Sequence, residues 1–376
     1  MSTGHTAWAR TRLAVRLGID YPIIQGPLGG LSSQRLTAAV SNFGALGSFG
    51  AHGLAPDAIA NVIAEIRALT SKPFAMNLWV STEDEGASTA GESQFARSLA
   101  SLSRHIDSVG GTQPSYAPYS PIRFEQQARV ILDARVPVFS FIYGVPPREI
   151  VHDCRARHIT TIGTATTPDE ATALQEAGVD VIVASGFEAG GHRGSFLRPA
   201  EQSLTGTFSL VPQVADRVDV PVVAAGGIGD ARGIVAALAL GAHGVQMGTA
   251  FLACEESGAS EQHRQALLSG RAGKTALTKG FTGRLARGIE NRLLSDLNTP
   301  GVEILPYPLQ RMLVRHLALP AEKAGQPELL PLWAGQSASL SHCTDVTTLL
   351  RTLVSDASSI APAVLDWTAL RKPPGS

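Results

Sequence analysis

Short runs of apolar, β-branched residues recur along the chain, each followed by a longer stretch with helical spacing. Buried parallel strands and their crossover helices read this way in sequence. Eight such runs stand out, at Tyr21 to Gln25, Ala45 to Ser48, Phe74 to Trp79, Val136 to Phe141, Ile159 to Ile162, Val181 to Ala184, Val220 to Ala225 and Gly244 to Met247. The punctuation between them is regular. Pro168-Asp169-Glu170 opens a helix with proline in its first turn and acids at its positive end, and Gly178 stops it. Asp230 to Leu240 repeats the pattern, with Gly241 as the stop before the next strand. Eight strand–helix units from Tyr21 to about Ala253 predict an α/β protein with a (β/α)8 or TIM barrel. A doubly wound open sheet is the alternative.

Two strand-to-helix connections are long, Ser81 to about Arg129 and Ser185 to about Phe208. Both should lie on the face where barrel loops build walls and lids. Disordered decoration is the competing reading, stronger for Ser81 to Ala90 than for the stretch from Gly110 to Pro121, which carries Tyr116 and Tyr119. After the eighth strand the pattern changes to helices and connections rich in arginine, including Arg284, Arg287 and Arg311. The domain plan is therefore a barrel over 1–252, closed by a helix within about 331–376 (Thr344 to Ser355), and a smaller, mostly helical lid over 253–330.

Composition narrows the class. With 31 Lys and Arg against 32 Asp and Glu, the chain has no global basic field to draw in nucleic acid or anionic lipid. No apolar run approaches the roughly 20 residues that span a bilayer. Cys154, Cys254 and Cys343 are odd in number, far apart and without metal-ligand spacing, which argues against a disulfide scaffold or zinc module and fits a reducing cytoplasm. The segment carrying Arg10, Arg12 and Arg16 lacks a continuous apolar region and reads as a short surface arm rather than a signal peptide.

The chemistry concentrates at strand ends. Gly226-Gly227-Ile228-Gly229-Asp230 follows the seventh run, and Gly248-Thr249 follows Gln246-Met247 at the end of the eighth. In a barrel these loops are neighbours, and their glycines let backbone N–H groups approach a phosphate. Tight turns alone would explain either loop by itself. Neither GxGxxG nor a Walker lysine pattern occurs, which disfavours a Rossmann-bound dinucleotide or ATP chemistry. After the sixth run comes Ser185-Gly186-Phe187-Glu188-Ala189-Gly190-Gly191-His192-Arg193-Gly194. A histidine framed by glycines at the top of a barrel strand is a candidate base, because an ordinary imidazole pKa of about 6.5 suits proton abstraction at neutral pH. His52, His158 and His263 have ordinary surface or strand-edge readings, and Glu188 either orients its loop or pairs with Arg193. Gln25-Gly26-Pro27 offers a small, rigid surface for a flat ring, and Asn77 places a carboxamide at the end of the third strand. Turn formation and strand termination are the plain alternatives for these two.

In these motifs the chain resembles the nitronate monooxygenase family, formerly 2-nitropropane dioxygenases. The resemblance spans Pro22 to about Leu294 and rests on Gln25-Gly26-Pro27, Pro73 to Asn77, Glu188 to Gly194, Ala224 to Ile228, Gln246 to Leu252 and Arg284 to Leu293. It implies an FMN-dependent barrel oxidising alkyl nitronates or nitroalkanes with O2 to a carbonyl compound and nitrite. By the same resemblance His192 takes the catalytic position, and FMN is held by Asn77, Ser185, Gly190, Gly227, Gln246, Gly248 and Thr249, with Gln25, Gly26, Pro27, Gly191, Gly226 and Met247 alongside. Three positions depart from the family pattern. Ser185 stands where many members have Gln, Ile142 replaces a second histidine, and Gln310-Arg311 follows Tyr307-Pro308-Leu309 in place of a Tyr and Lys segment. A flavin reductase using NAD(P)H on a quinone or an enoyl thioester is the main competing function, and a phosphosugar lyase or isomerase is the non-flavin one.

Overall fold

The computed structural model describes residues 7–117, 119 and 122–365. Pro118, Ser120 and Pro121 of the tyrosine-bearing stretch, and the end of the expected closing segment after Leu365, lie outside these residues. Eleven strands follow in chain order: β1 (Ile23–Gln25), β2 (Gly47–Gly50), β3 (Phe74–Trp79), β4 (Val138–Ile142), β5 (Thr160–Ala165), β6 (Val181–Ser185), β7 (Gly191–His192), β8 (Val222–Ala225), β9 (Gly244–Met247), β10 (Thr275–Thr278) and β11 (Ala286–Ile289). Eight of them form a parallel sheet in the order β1-β9-β8-β6-β5-β4-β3-β2, and a parallel bridge from Ile24 to Leu46 brings its two edges together. The sheet is thus a barrel with helices outside, as the alternation of the sequence predicts.

Proline defines where several strands begin. The ladder carbonyls of Pro22, Pro137 and Pro221 accept from Val245, Thr160 and Ile182, but a proline has no N–H to return. The strands proper therefore start one residue later, which trims the expected runs at Tyr21, Val136 and Val220. Helix boundaries follow capping chemistry. Thr167 accepts from the Glu170 N–H ahead of the helix Pro168–Glu176, Asp230 caps Ala231–Ala239, and Gly178 and Gly241 exit with positive φ.

Alternate strand residues divide the core. Ile23, Ile182 and Ala224 face the helices, together with Leu350, Leu353 and Ala357 of the closing helix Val346–Leu365. Ile24, Leu46, Val138, Ile162, Val181, Val183 and Val223 fill the interior of the barrel. The expected surface arm is corrected here. Thr11 caps a short helix, Arg12–Leu17, whose Leu13, Ala14 and Leu17 join the interior cluster. Leu13 is fully buried, so the arm plugs the floor of the barrel. Its Arg16 pairs with Asp180 and its Arg12 donates to the Asp219 carbonyl on the outside of the same end.

A second core lies over the opposite end. It joins Leu102 and Ile106 of the helix Glu92–Ser108 to Phe281, Leu293, Leu313, Leu317 and Leu332. Within 253–330 the structure contains the helices Glu261–Leu268, Arg292–Leu297 and Leu309–Lys323, and it adds an element that the helical reading omits. This is the antiparallel hairpin β10–β11, whose second strand pairs with β7. Ala286 stands opposite His192 and Arg287 opposite Gly191, so the candidate base sits in a three-stranded sheet completed from ninety-odd residues downstream.

Candidate active site

The C-terminal ends of the barrel strands meet β11 and the segment 333–337 around one cluster of side chains. Its wall is aromatic. His52, after β2, stacks on Trp79 at the end of β3 with ring centroids 3.8 Å apart and planes 10° apart. His192 meets the same indole edge-on at 4.9 Å and lies 5.2 Å from Trp333 and 6.5 Å from Tyr307. Tyr143, after β4, completes the cluster 4.9 Å from Trp79.

Two guanidinium groups face this wall. Arg284 sits over the rings of Tyr143 and Tyr307, 4.1 and 4.4 Å from their centroids. It is held by Asp84 (Nε to Oδ1, 2.7 Å) and by Ser81, whose carbonyl and hydroxyl both accept from it. The Ser81–Ala90 stretch is therefore an anchor for Arg284 rather than loose decoration. Arg311 reaches the Tyr307 hydroxyl at 3.4 Å and approaches Gly30 and Gly53.

These charges set the electrostatics. Burial first, then Arg311 and Arg284, push the His192 imidazole down to about 3. The ring is thus neutral at physiological pH and holds its proton-accepting capacity well below the ordinary value that the sequence suggests. His52 is lowered well below its usual value by burial and then by Arg311, His192 and Arg284. Its Nδ1 and the Tyr143 hydroxyl are buried without a hydrogen-bond partner in the protein, polar groups of the kind a bound molecule satisfies.

The glycine loops lie beside this wall. Gly226 and Gly227 adopt φ of 96° and 72°, conformations that only glycine enters freely. Gly26 lies against Gly248, where an added Cβ would stand 3.3 Å from the Gly248 Cα. Gly190 and Gly227 are exposed, and Ser185, Gly191, Gly226, Gln246, Gly248 and Thr249 are half-exposed around the same mouth. Thr249 Oγ1 accepts from the Gly335 N–H at 3.0 Å, and the Gln336 N–H donates to the Glu188 carbonyl. The segment after Trp333, which carries no signal of its own in the sequence, therefore ties together the loops after β6 and β9.

Several residues of these segments are engaged within the protein itself. The Gln25 amide is fully buried, donating to the Gly26 carbonyl and accepting from the Ser48 N–H, so it joins β1 to β2. The Met247 side chain lies in the core between barrel and helices. Pro27 is half-buried, and its carbonyl accepts from Ser32. Asn77 is buried, donating to Ser140 Oγ at 3.0 Å and leaving its carbonyl oxygen available. Glu188 takes its loop-orienting role: both its oxygens lie 2.9 Å from the Thr207 N–H, capping the helix Thr207–Ala215. Arg193 is buried among the carbonyls of Ser185, Ser203 and Thr166.

His52 and His263 depart from their ordinary surface readings, since both are buried and His263 bonds the Trp333 carbonyl at 2.8 Å. Trp79, Tyr143, Thr282 and Tyr307 went unassigned by sequence reasoning. For Trp79, the last residue of β3, and for His52 and Tyr143, just past β2 and β4, the rule that selected His192, a functional group at the top of a barrel strand, would have found them. Ile142 fills the space that Gly194 leaves open, where an added Cβ would stand 2.2 Å from its Cδ1.

Comparison with known proteins agrees with this geometry. The family model for nitronate monooxygenase matches residues 10–356. A probable nitronate monooxygenase of Staphylococcus aureus is 39% identical over 354 residues, covering 94% of this chain and 99% of the relative. Among solved structures, nitroalkane oxidase from Streptomyces ansochromogenes superposes with a TM-score of 0.84 at 35% identity, covering 94% of this chain and 99% of its own. FabK from Thermotoga maritima gives 0.74 at 27%, covering 95% and 99%. A barrel whose strand ends gather glycine loops, a neutral histidine and two arginines, matched along nearly its whole length, belongs to the nitronate monooxygenase family and is an oxidoreductase.

Proposed function

We propose that the protein is an FMN-dependent nitronate monooxygenase that converts alkyl nitronates, and nitroalkanes after deprotonation, with O2 to a carbonyl compound and nitrite. The observation that carries this reading is the placing of His192 on the aromatic wall, 4.9 Å from Trp79 and 5.2 Å from Trp333, in the field of Arg284 and Arg311. The residues fit the cofactor: Gly226, Gly227, Gly248 and Thr249 offer a phosphate cradle, and Asn77, Ser185, Gly190 and Gln246 line the mouth where a heterocycle would be held. FMN, when bound, supplies the redox chemistry and passes electrons to oxygen.

The chain supplies binding and proton handling. A nitronate is an anion, and the two guanidinium groups on the aromatic wall provide its counter-charge. A neutral nitroalkane must first lose its α-proton, the C–H electron pair staying on the substrate as the proton passes to the His192 imidazole. Imidazolium beside two arginines is costly unless negative charge forms next to it, which is what the nascent nitronate provides. The segment 253–330 acts as the substrate-side wall, contributing Arg284, Tyr307 and Arg311. The balanced charge and the free thiols, two of them buried, fit a protein working in the cytoplasm, and no helix among the described residues is long and apolar enough to cross a membrane.

The test is an absorbance spectrum of the purified protein followed by anaerobic additions. Bound flavin bleached by propyl nitronate and not by NADH, with nitrite released on admitting air, is the expected result. Bleaching by NADH alone would place the protein among reductases, and failure to take up FMN would overturn both. In His192→Asn, the ratio of kcat/KM for nitroethane to that for ethyl nitronate should fall by about a hundredfold, and an unchanged ratio would remove the base assignment.

A further inference from the structure

One short segment holds His192 in two ways. Its backbone pairs with Ala286 in the β7–β11 ladder, and its Nε2 lies 2.9 Å from Thr282 Oγ1. The two contacts come from residues four apart. Together they fix both the position of the ring and its rotation.

The hydroxyl of Thr282 has one proton to give and two lone pairs to accept with. The Arg284 N–H donates to it at 3.3 Å, and the Arg284 carbonyl oxygen, an acceptor only, lies 3.3 Å away. One arrangement satisfies every group. Thr282 donates its proton to the Arg284 carbonyl and accepts from the Arg284 N–H, and its remaining lone pair accepts a proton carried on His192 Nε2. The reverse arrangement takes the Thr282 proton from that carbonyl and moves the ring proton to Nδ1. Thr282 is 3% exposed, so bulk water does not compete for these bonds.

We propose that Thr282 is a positioning residue that holds neutral His192 as the Nε2–H tautomer, making Nδ1 the atom that accepts the substrate proton. The proposal rests on the reading of His192 as base. In the step it describes, the α-C–H bond breaks with its electrons retained by the nitronate, and an Nδ1–H bond forms. The resulting imidazolium keeps its Nε2–H bond to Thr282. A ring in the other tautomer would present a donor where the reaction needs an acceptor.

Two measurements on the holoenzyme test this. Nitrogen-15 histidine NMR, with the His192 signals identified by their loss in His192→Asn, should show Nε2 protonated and Nδ1 bare near pH 7.5. Thr282→Val should shift the ring toward the Nδ1–H form, and Thr282→Ser should restore the original pattern. In parallel, the ratio of kcat/KM for nitroethane to ethyl nitronate should fall about tenfold or more in Thr282→Val and recover in Thr282→Ser. An Nδ1–H ring in the parent protein, or equal losses on both substrates, would overturn the proposal. Loss of nitroethane turnover in His192→Asn but not in Thr282→Val overturns the role of Thr282 alone. Retention of that turnover in His192→Asn overturns the base reading and the role of Thr282 with it.

Discussion

Arg284 packs over the Tyr143 ring at 4.1 Å while its Nε donates to Asp84, so one side chain joins the loop after β3, the end of β4 and the segment before β11. A planar guanidinium can stack and bond edgewise at once, whereas a lysine ammonium cannot. Arg284→Lys should therefore destabilise the fold by about 1–3 kcal/mol in urea unfolding. It should also raise KM for a nitronate by about tenfold, the equivalent of ~1.4 kcal/mol of binding. A variant matching the parent in both would show that the stack contributes nothing beyond charge.

The lowered histidines predict acid sensitivity. His192 is pushed down to about 3 and His263 to about 4, in both cases chiefly by burial. In the unfolded chain each takes up a proton near pH ~6.5, while the folded protein stays neutral there. The unfolded state therefore binds more protons below that pH, and stability present above about 6.5 is lost as pH falls toward 4. Each such group adds at most ~1.4 kcal/mol per pH unit to the slope. Urea unfolding between pH 7 and 5 should show this slope, reduced by about one proton in His192→Asn. Superimposable pH profiles for the two proteins would contradict it.

Leu13, on the floor of the barrel, should behave as core despite its position near the N-terminus. Replacing this fully buried side chain with alanine should cost about 2–5 kcal/mol in thermal or urea unfolding. A loss under about 0.5 kcal/mol, the range of ordinary surface changes, would restore the reading of a surface arm.

Gly190 is exposed on one side, but the direction a side chain would take from it is blocked by backbone. An added Cβ there would stand 2.5 Å from the Ala334 carbonyl carbon and the Gly335 nitrogen, and backbone cannot swing aside as a side chain can. Gly190→Ala should therefore spread the two segments and weaken flavin retention by about tenfold in a fluorescence titration. Gly91→Ala, where a new Cβ meets nothing within 4 Å, is the control. Equal flavin affinity in both variants would mean that the contact is not felt at the cofactor.

The barrel and the glycine loops that follow its strands were legible because they rest on local signals. β-branched runs, proline starts and glycine stops each act within a few residues, and the glycines at 226, 227 and 248 needed only to follow a strand. The aromatic wall was less legible, since Trp79, Tyr143 and Tyr307 meet only when three distant segments fold together. The depressed basicity of His192 was also out of reach, as it depends first on burial among distant segments and then on two guanidinium groups from beyond residue 280. The β10–β11 hairpin was masked by its composition. Thr275–Thr278 is half-buried and Ala286–Ile289 contains arginine and glycine, so neither shows the apolar run that marked the barrel strands. The partners of Gln25 and Arg193 were equally out of reach, since both side chains bond backbone groups from segments distant in sequence.

The pairing of His192 with Ala286 also has a consequence in time. A chain emerging from the ribosome completes all eight barrel strands by Met247, yet β7 has no partner until β11 has been made. Domains form in order during synthesis, so the glycine loops can be in place well before the histidine is fixed. The strand that holds His192 is thus completed only after the barrel strands and β11 have both been made, and a product truncated after Met247 would carry the glycine loops with β7 unpaired.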